Sequence, residues 1–292
     1  MHKLLAHNAG YVFLLIASLL AGCTSAPDAT RLAARHQLPV SLVQAGDFHL
    51  AVFGRPVAPA GELRVYLPGD GVPWQGRHPA RDPTGRRHIA LELLGKDPAP
   101  AVLLGRPCYL QRTLDAACEP GLWTSGRYSE TVVAALDTAL QELIRLSNAR
   151  SLTLIGYSGG GTLATLLGSR QTLPTTVITL AANLDTEAWT RHHRHLPLTQ
   201  SLNPARDLPV PAGFRQIHLQ GGQDSVVPPA TLARYRQQHP QARWWLEPGY
   251  DHRCCWVDAW PELLHRALGT PAGDPTLHHL PTAVRATAPA AP

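Results

Sequence analysis

Ser158 sits in Gly156-Tyr157-Ser158-Gly159-Gly160-Gly161, directly after the short β-prone run 151–155 and before the apolar, helix-compatible run 162–167. Strand, sharp turn and helix form the setting in which a serine becomes a nucleophile. The glycines let the chain turn tightly, and the hydroxyl then projects at a helix N-terminus whose free N–H groups favour a developing oxyanion. A serine hydroxyl is a weak nucleophile by itself, so it needs a base, and the base needs a third group to orient it. Two later segments offer these. Ile217-His218-Leu219-Gln220 reads as a strand running into the turn 221–229, which presents Asp224 just past the strand end. Arg243-Trp244-Trp245-Leu246 reads as another strand, followed by the loop Glu247-Pro248-Gly249-Tyr250-Asp251-His252. Ser158 is thus the candidate nucleophile, Asp224 the candidate acid and His252 the candidate base.

The Gly156-Tyr157-Ser158-Gly159-Gly160, Gly221-Gly222-Gln223-Asp224-Ser225-Val226-Val227-Pro228 and Gly249-Tyr250-Asp251-His252 segments, each at a predicted strand end, resemble the α/β-hydrolase superfamily over roughly residues 60 to 268. The resemblance implies a chain order of serine, then acid, then histidine, which this sequence follows. By that resemblance His252 takes the Ser158 proton and returns it to the leaving group, while Asp224 orients and charge-balances the imidazole. Two other carboxylates compete with Asp224. Asp251 adjoins His252, but a sequence neighbour in a loop rarely points the right way. Asp185, after the strand at 177–180, is the more serious rival, since some hydrolases carry their acid earlier in the sheet.

A second backbone donor besides the Gly159 N–H is needed to hold an oxyanion, and the superfamily usually finds it after an earlier strand. Glu62-Leu63-Arg64-Val65-Tyr66-Leu67 alternates polar and apolar residues and ends in Pro68-Gly69-Asp70-Gly71. The candidate donor is Asp70 or Gly71, a departure from the histidine-glycine pattern of lipases and esterases.

The elements that must position these residues follow from periodicity. Helices are predicted at 89–94, at 129–146 with one apolar face, and at 256–268. Strands alternating with helices predict an α/β fold, a mainly parallel central sheet flanked by helices. The segment 182–213, rich in Pro, Asn and His, reads as a small insertion acting as a lid. Its His192, His193 and His195 read as a solvated basic loop, so no metal is expected. No cofactor is expected either. Trp74 and Trp189 are candidates for lining the pocket, against the commoner role of a packed tryptophan.

With 292 residues and 44% hydrophobic content the chain can bury one sizeable core. Its formal charge of +5 comes almost wholly from scattered arginines, Lys3 and Lys96 being the only lysines. Such scatter argues against a nucleic-acid groove and for a solvated basic surface. At the N-terminus, a short basic start and an apolar run lead to Leu20-Ala21-Gly22-Cys23, which resembles the lipobox of bacterial lipoproteins. The resemblance implies cleavage before Cys23, lipidation of that cysteine and anchoring at the cell envelope facing the periplasm, with outer-membrane sorting suggested by Thr24. Residues 1–22 are then a signal peptide, 23–45 a linker, 46–269 the catalytic domain and 270–292, rich in Ala, Pro and Thr, a disordered tail. In an oxidising compartment Cys108 and Cys118 are expected to bridge. Cys254 and Cys255 could bridge each other, stay as thiols or pair elsewhere.

The expected activity is acyl transfer to water on a small ester or other acyl substrate. A carboxylesterase, thioesterase, peptidase or acyltransferase would share all these residues, and a non-catalytic envelope binding protein on the same fold is the reading from another class.

Overall fold

The computed structural model describes residues 28–111, 113–209 and 213–269. Cys23, residues 1–22 expected as a signal peptide and residues 270–292 expected as a tail lie outside the described residues. Eight strands among these residues form one sheet: β1 (Val40–Ala45), β2 (Phe48–Gly54), β3 (Glu62–Leu67), β4 (Val102–Leu104), β5 (Ser151–Tyr157), β6 (Thr175–Leu180), β7 (Arg215–Gly221) and β8 (Arg243–Glu247). They lie in the order β1-β2-β4-β3-β5-β6-β7-β8. β4, β3, β5, β6, β7 and β8 run parallel, and β1 and β2 are antiparallel at one edge.

Eight α-helices are described: α1 (Asp28–Arg35), α2 (Ile89–Leu94), α3 (Glu130–Ser147), α4 (Gly159–Gly168), α5 (Thr186–His193), α6 (Pro204–Asp207), α7 (Ala233–Gln238) and α8 (Trp256–Gly269). The sheet is buried on both faces because successive strand residues point to opposite sides. Leu63 and Val65 of β3 and Leu152 and Leu154 of β5 pack with Val132, Leu136 and Leu140 of α3 and Leu163 and Leu167 of α4. On the other face Tyr66, Ile155 and Ile178 pack with Ile89 and Leu93 of α2 and Trp256, Trp260 and Leu264 of α8. The α3 helix starts where the Ser129 side chain accepts from the Val132 N–H, and stops at Asn148 in the left-handed conformation. Both are usual solutions for orphan helix-end groups.

Residues 28–45, read from composition as linker, instead hold α1 and β1, a correction to that boundary. Ala29 and Ala33 of α1 are buried against the α2 and α8 side. β1 escaped the sequence reading because it is an edge strand: Val40 and Leu42 are exposed, and only one neighbour, β2, fixes it. The segment 182–213 is not a bare loop either, since it builds α5 and α6.

Cys108 and Cys118 are bridged, with Cα atoms 5.7 Å apart, and Cys254 is bridged to Cys255. The first bridge closes a loop of sequence separation 10 behind β4. Replacing both Cys108 and Cys118 by serine is expected to lower stability by about 2 to 3 kcal/mol, the loop entropy a ring of this size removes from the unfolded chain. Urea unfolding of the oxidised parent and the double variant measures this, and equal midpoints would show that the bridge contributes nothing.

Candidate active site

The turn from β5 into α4 holds Ser158 at φ 53° and ψ −125°. A non-glycine residue there costs about 1 to 3 kcal/mol and persists only when its surroundings over-determine it. They do. The Ser158 N–H donates to the Leu180 carbonyl at 2.8 Å, and the Ser158 carbonyl accepts from the Gly161 N–H at 2.9 Å. A Cβ at Gly156 would overlap the Gly160 carbonyl, and one at Gly160 would overlap the Leu67 carbonyl. The glycines are therefore required by close backbone approach, and the serine is pushed outward as the half-exposed tip of the turn.

β7 ends at Gly221, and the following turn buries Asp224. One carboxylate oxygen accepts the N–H groups of Val226 and Val227 at 2.8 and 2.7 Å, which fixes the side chain's direction. The other oxygen lies 2.8 Å from His252 Nδ1. His252, on the loop after β8, places Nε2 3.0 Å from Ser158 Oγ. Tyr157 steadies that loop, its hydroxyl donating to the His252 carbonyl at 2.7 Å. Ser158, His252 and Asp224 thus stand in one hydrogen-bonded line, although 94 residues separate the first two. The rival carboxylates are engaged elsewhere. Asp185 caps α5 and receives Nε and a terminal nitrogen of Arg234 at 2.7 and 2.8 Å. Asp251 accepts the N–H groups of Arg253 and Cys254 at 2.6 and 2.7 Å, and these bonds hold its carboxyl below the usual range.

The turn after β3 passes beside the serine. Gly69 packs against Ser158 Cβ, and the Asp70 carboxylate lies against Gly159. Among the described residues no hydrogen bond uses the N–H of Gly159, Asp70 or Gly71. The Asp70 side chain is gripped from behind: Arg106 reaches one oxygen at 2.6 Å, and Arg127 and the Tyr128 hydroxyl reach the other at 3.2 and 2.6 Å. Burial alone would raise the Asp70 pKa, but the Arg127 and Arg106 charges and the Tyr128 hydroxyl outweigh it and hold it below the ordinary value. The Tyr109 hydroxyl, pushed up to about 12 mainly by burial, donates to the Asp70 carbonyl at 3.1 Å. Sequence reasoning missed all four partners. Local sequence carries no signal for them, because the segments at 106–109 and 127–128 meet Asp70 only in the fold.

A cavity of about 560 Å³ opens over the line, with Ser158, His252, Gly69, Asp70 and Trp189 in its wall. Trp189, from α5, donates its indole N–H to the Val226 carbonyl at 2.7 Å, tying the inserted segment to the turn that carries Asp224. Trp74 does not line the cavity. It is 45% exposed in a small hairpin pairing Trp74–Gln75 with His78–Pro79, because that turn leads its ring outward.

Strand order, the parallel core with an antiparallel edge, and a strained serine between β5 and α4 together decide the architecture. It is the α/β-hydrolase fold. Solved structures agree. The chain is similar to an α/β-hydrolase-like protein of unknown function from Agrobacterium tumefaciens at 14% identity and a TM-score of 0.56, covering 81% of this chain and 100% of that one. It is similar to an esterase from Pyrococcus furiosus at 13% identity and a TM-score of 0.55, covering 80% and 91%. It is also similar to an α/β serine hydrolase homologue from Coxiella burnetii at 16% identity and a TM-score of 0.53, covering 79% and 97%. No family model matches the sequence, and no curated protein matches it. An α/β-hydrolase fold hosts many chemistries, so what this one does must be argued from its own site.

Proposed function

We propose that this chain is a serine hydrolase of esterase type, acting through an acyl-enzyme. The observation that carries the reading is the continuous Ser158–His252–Asp224 line, at 3.0 and 2.8 Å, at the floor of an open cavity. His252 Nε2 takes the Ser158 proton as Oγ attacks the acyl carbonyl, and Asp224 offsets the charge that develops on the imidazole. The N–H groups of Gly159 and Asp70 receive the oxyanion. Asp70 is favoured over Gly71 because it follows Gly69, which packs on Ser158, whereas Gly71 packs on Pro83. The Asp70 carboxylate would by itself disfavour a nearby oxyanion, and Arg106 and Arg127 offset it, so the turn presents its amide without a net negative field. His252 then protonates the departing alcohol, and water repeats the sequence on the acyl group. A broad fluorophosphonate probe tests the reading: the parent should be labelled and Ser158→Ala should not. Failure to label a folded parent would refute it.

The site is placed, on this proposal, at a bacterial envelope membrane through a lipidated Cys23, supported by Leu20-Ala21-Gly22-Cys23 after the apolar run. More than one buried acyl chain gives durable anchoring where a single one does not. Cys23→Ala is expected to abolish incorporation of a fatty-acid analogue and to leave unprocessed precursor. Equal labelling of variant and parent would remove the idea.

A further inference from the structure

The cavity wall is electrostatically one-sided. Arg86, Arg87 and Arg253 line it and are exposed, and none has a carboxylate within ion-pair distance among the described residues. Two acidic residues share the wall. Asp70 is neutralised by Arg106 and Arg127, and Asp82 directs an oxygen at the Thr84 N–H at 2.8 Å.

The arginines are held there by the backbone. Gly71, at φ +63°, packs so closely that a Cβ would overlap the Pro83 carbonyl, and that carbonyl accepts the Val72 N–H at 2.8 Å. Gly85 lies against the Gly71 Cα, and Thr84 Oγ1 accepts the Leu110 N–H at 2.8 Å. The segment that carries Arg86 and Arg87 is thereby fastened to the turn beside the nucleophile. Arg253 follows His252 directly, and its backbone is tied to Asp251. Arg253 adjoins His252 in the chain, and Arg87 lines the same cavity wall as His252 and Tyr157, whose hydroxyl is bonded to the His252 carbonyl, so the pair is assigned to the His252 side of the site. That is the side from which a histidine base protonates the departing alcohol.

We propose that the substrate is an ester whose alcohol half carries an anionic group, a carboxylate or a phosphate, received by Arg87 and Arg253 with Arg86 at the rim. This rests on the serine-hydrolase reading above and adds the substrate class. A guanidinium fork suits either anion.

The test uses esters with the same acetyl group and ring: 4-acetoxybenzoate, which is anionic, and methyl 4-acetoxybenzoate, which is neutral. Each kcat/KM is divided by that ester's hydroxide-catalysed rate. The parent should prefer the anion by about 10-fold at low salt, chiefly through KM, and lose most of this in about 0.5 M NaCl, where exposed charges are screened. In Arg87→Ala/Arg253→Ala the ratio should fall to near parity, and Arg87→Lys/Arg253→Lys should keep part of it. Hydrolysis of the neutral ester with no preference for the anion overturns the proposal and leaves the hydrolase reading standing. A preference seen only when the charge is on the acyl half, in phenyl hydrogen succinate against phenyl butyrate, overturns it as well. If neither acetate is hydrolysed and the fluorophosphonate probe does not label Ser158, the underlying reading fails and takes the proposal with it.

Discussion

Ser158→Ala is expected to lower the turnover of short-chain aryl esters by about 10⁴ to 10⁶-fold, and His252→Ala by a similar amount. On the proposed mechanism Ser158 supplies the attacking oxygen and His252 the nitrogen 3.0 Å from it, so neither loss leaves a substitute in place. The double variant should be scarcely worse than either single one, because residues acting as one unit are not additive. Asp224→Ala removes the group that orients His252 Nδ1 and should cost less, about 10² to 10⁴-fold. Asp185→Ala should leave the chemistry in place and show its effect in unfolding, since Asp185 caps α5 and binds Arg234. Steady-state kinetics on variants whose fold is checked by circular dichroism separates these cases. A folded Ser158→Ala protein with parental turnover would refute the assignment, and a crippled Asp185→Ala beside an active Asp224→Ala would move the acid.

The second large effect is on stability. Arg106 is fully buried, 2.6 Å from Asp70 and equally close to the Arg127 carbonyl. Arg106→Met removes one member of a buried charge cluster and leaves the rest under-neutralised, so it should destabilise by about 3 to 5 kcal/mol. The cluster also gives acid sensitivity a definite direction. Asp70 has its pKa lowered in the folded protein, so its contribution is complete above the ordinary carboxylate value of about 3.9 and disappears as pH falls through the depressed one. Urea unfolding at pH 7 and near pH 3 should therefore show a loss on acidification that shrinks in Asp70→Asn. A drop below about 1 kcal/mol for Arg106→Met at pH 7 would mean that the buried ion group is dispensable.

Fold and site were legible to different degrees. The parallel strands were readable because short β-prone runs such as 151–155 are closed by a glycine, here Gly156. β1 and α1 were not. An edge strand with an exposed outer face and a short helix in an Ala- and Arg-rich stretch carry too little apolar pattern to stand out from a linker. Trp74 was misplaced for a related reason: a large ring after a glycine turn can go inward or outward, and local sequence does not say which.

By itself the sequence determined which residues were chemically competent and roughly where in the sheet each would emerge, because strand ends and glycine turns are local properties. It put Asp224 ahead of Asp185 and Asp251 from its place just past a strand end, but could not settle the choice. That choice depends on which carboxylate the sheet brings to His252 Nδ1, and the structure brings Asp224 to 2.8 Å while Arg234 occupies Asp185. Nor could it show Arg106, Arg127 and Tyr128 converging on Asp70, or Arg86 and Arg87 meeting Arg253 across one cavity. Those groups are far apart in the chain, and only the packing of separate loops around one sheet edge sets whether a charge is paired, buried or left facing the site.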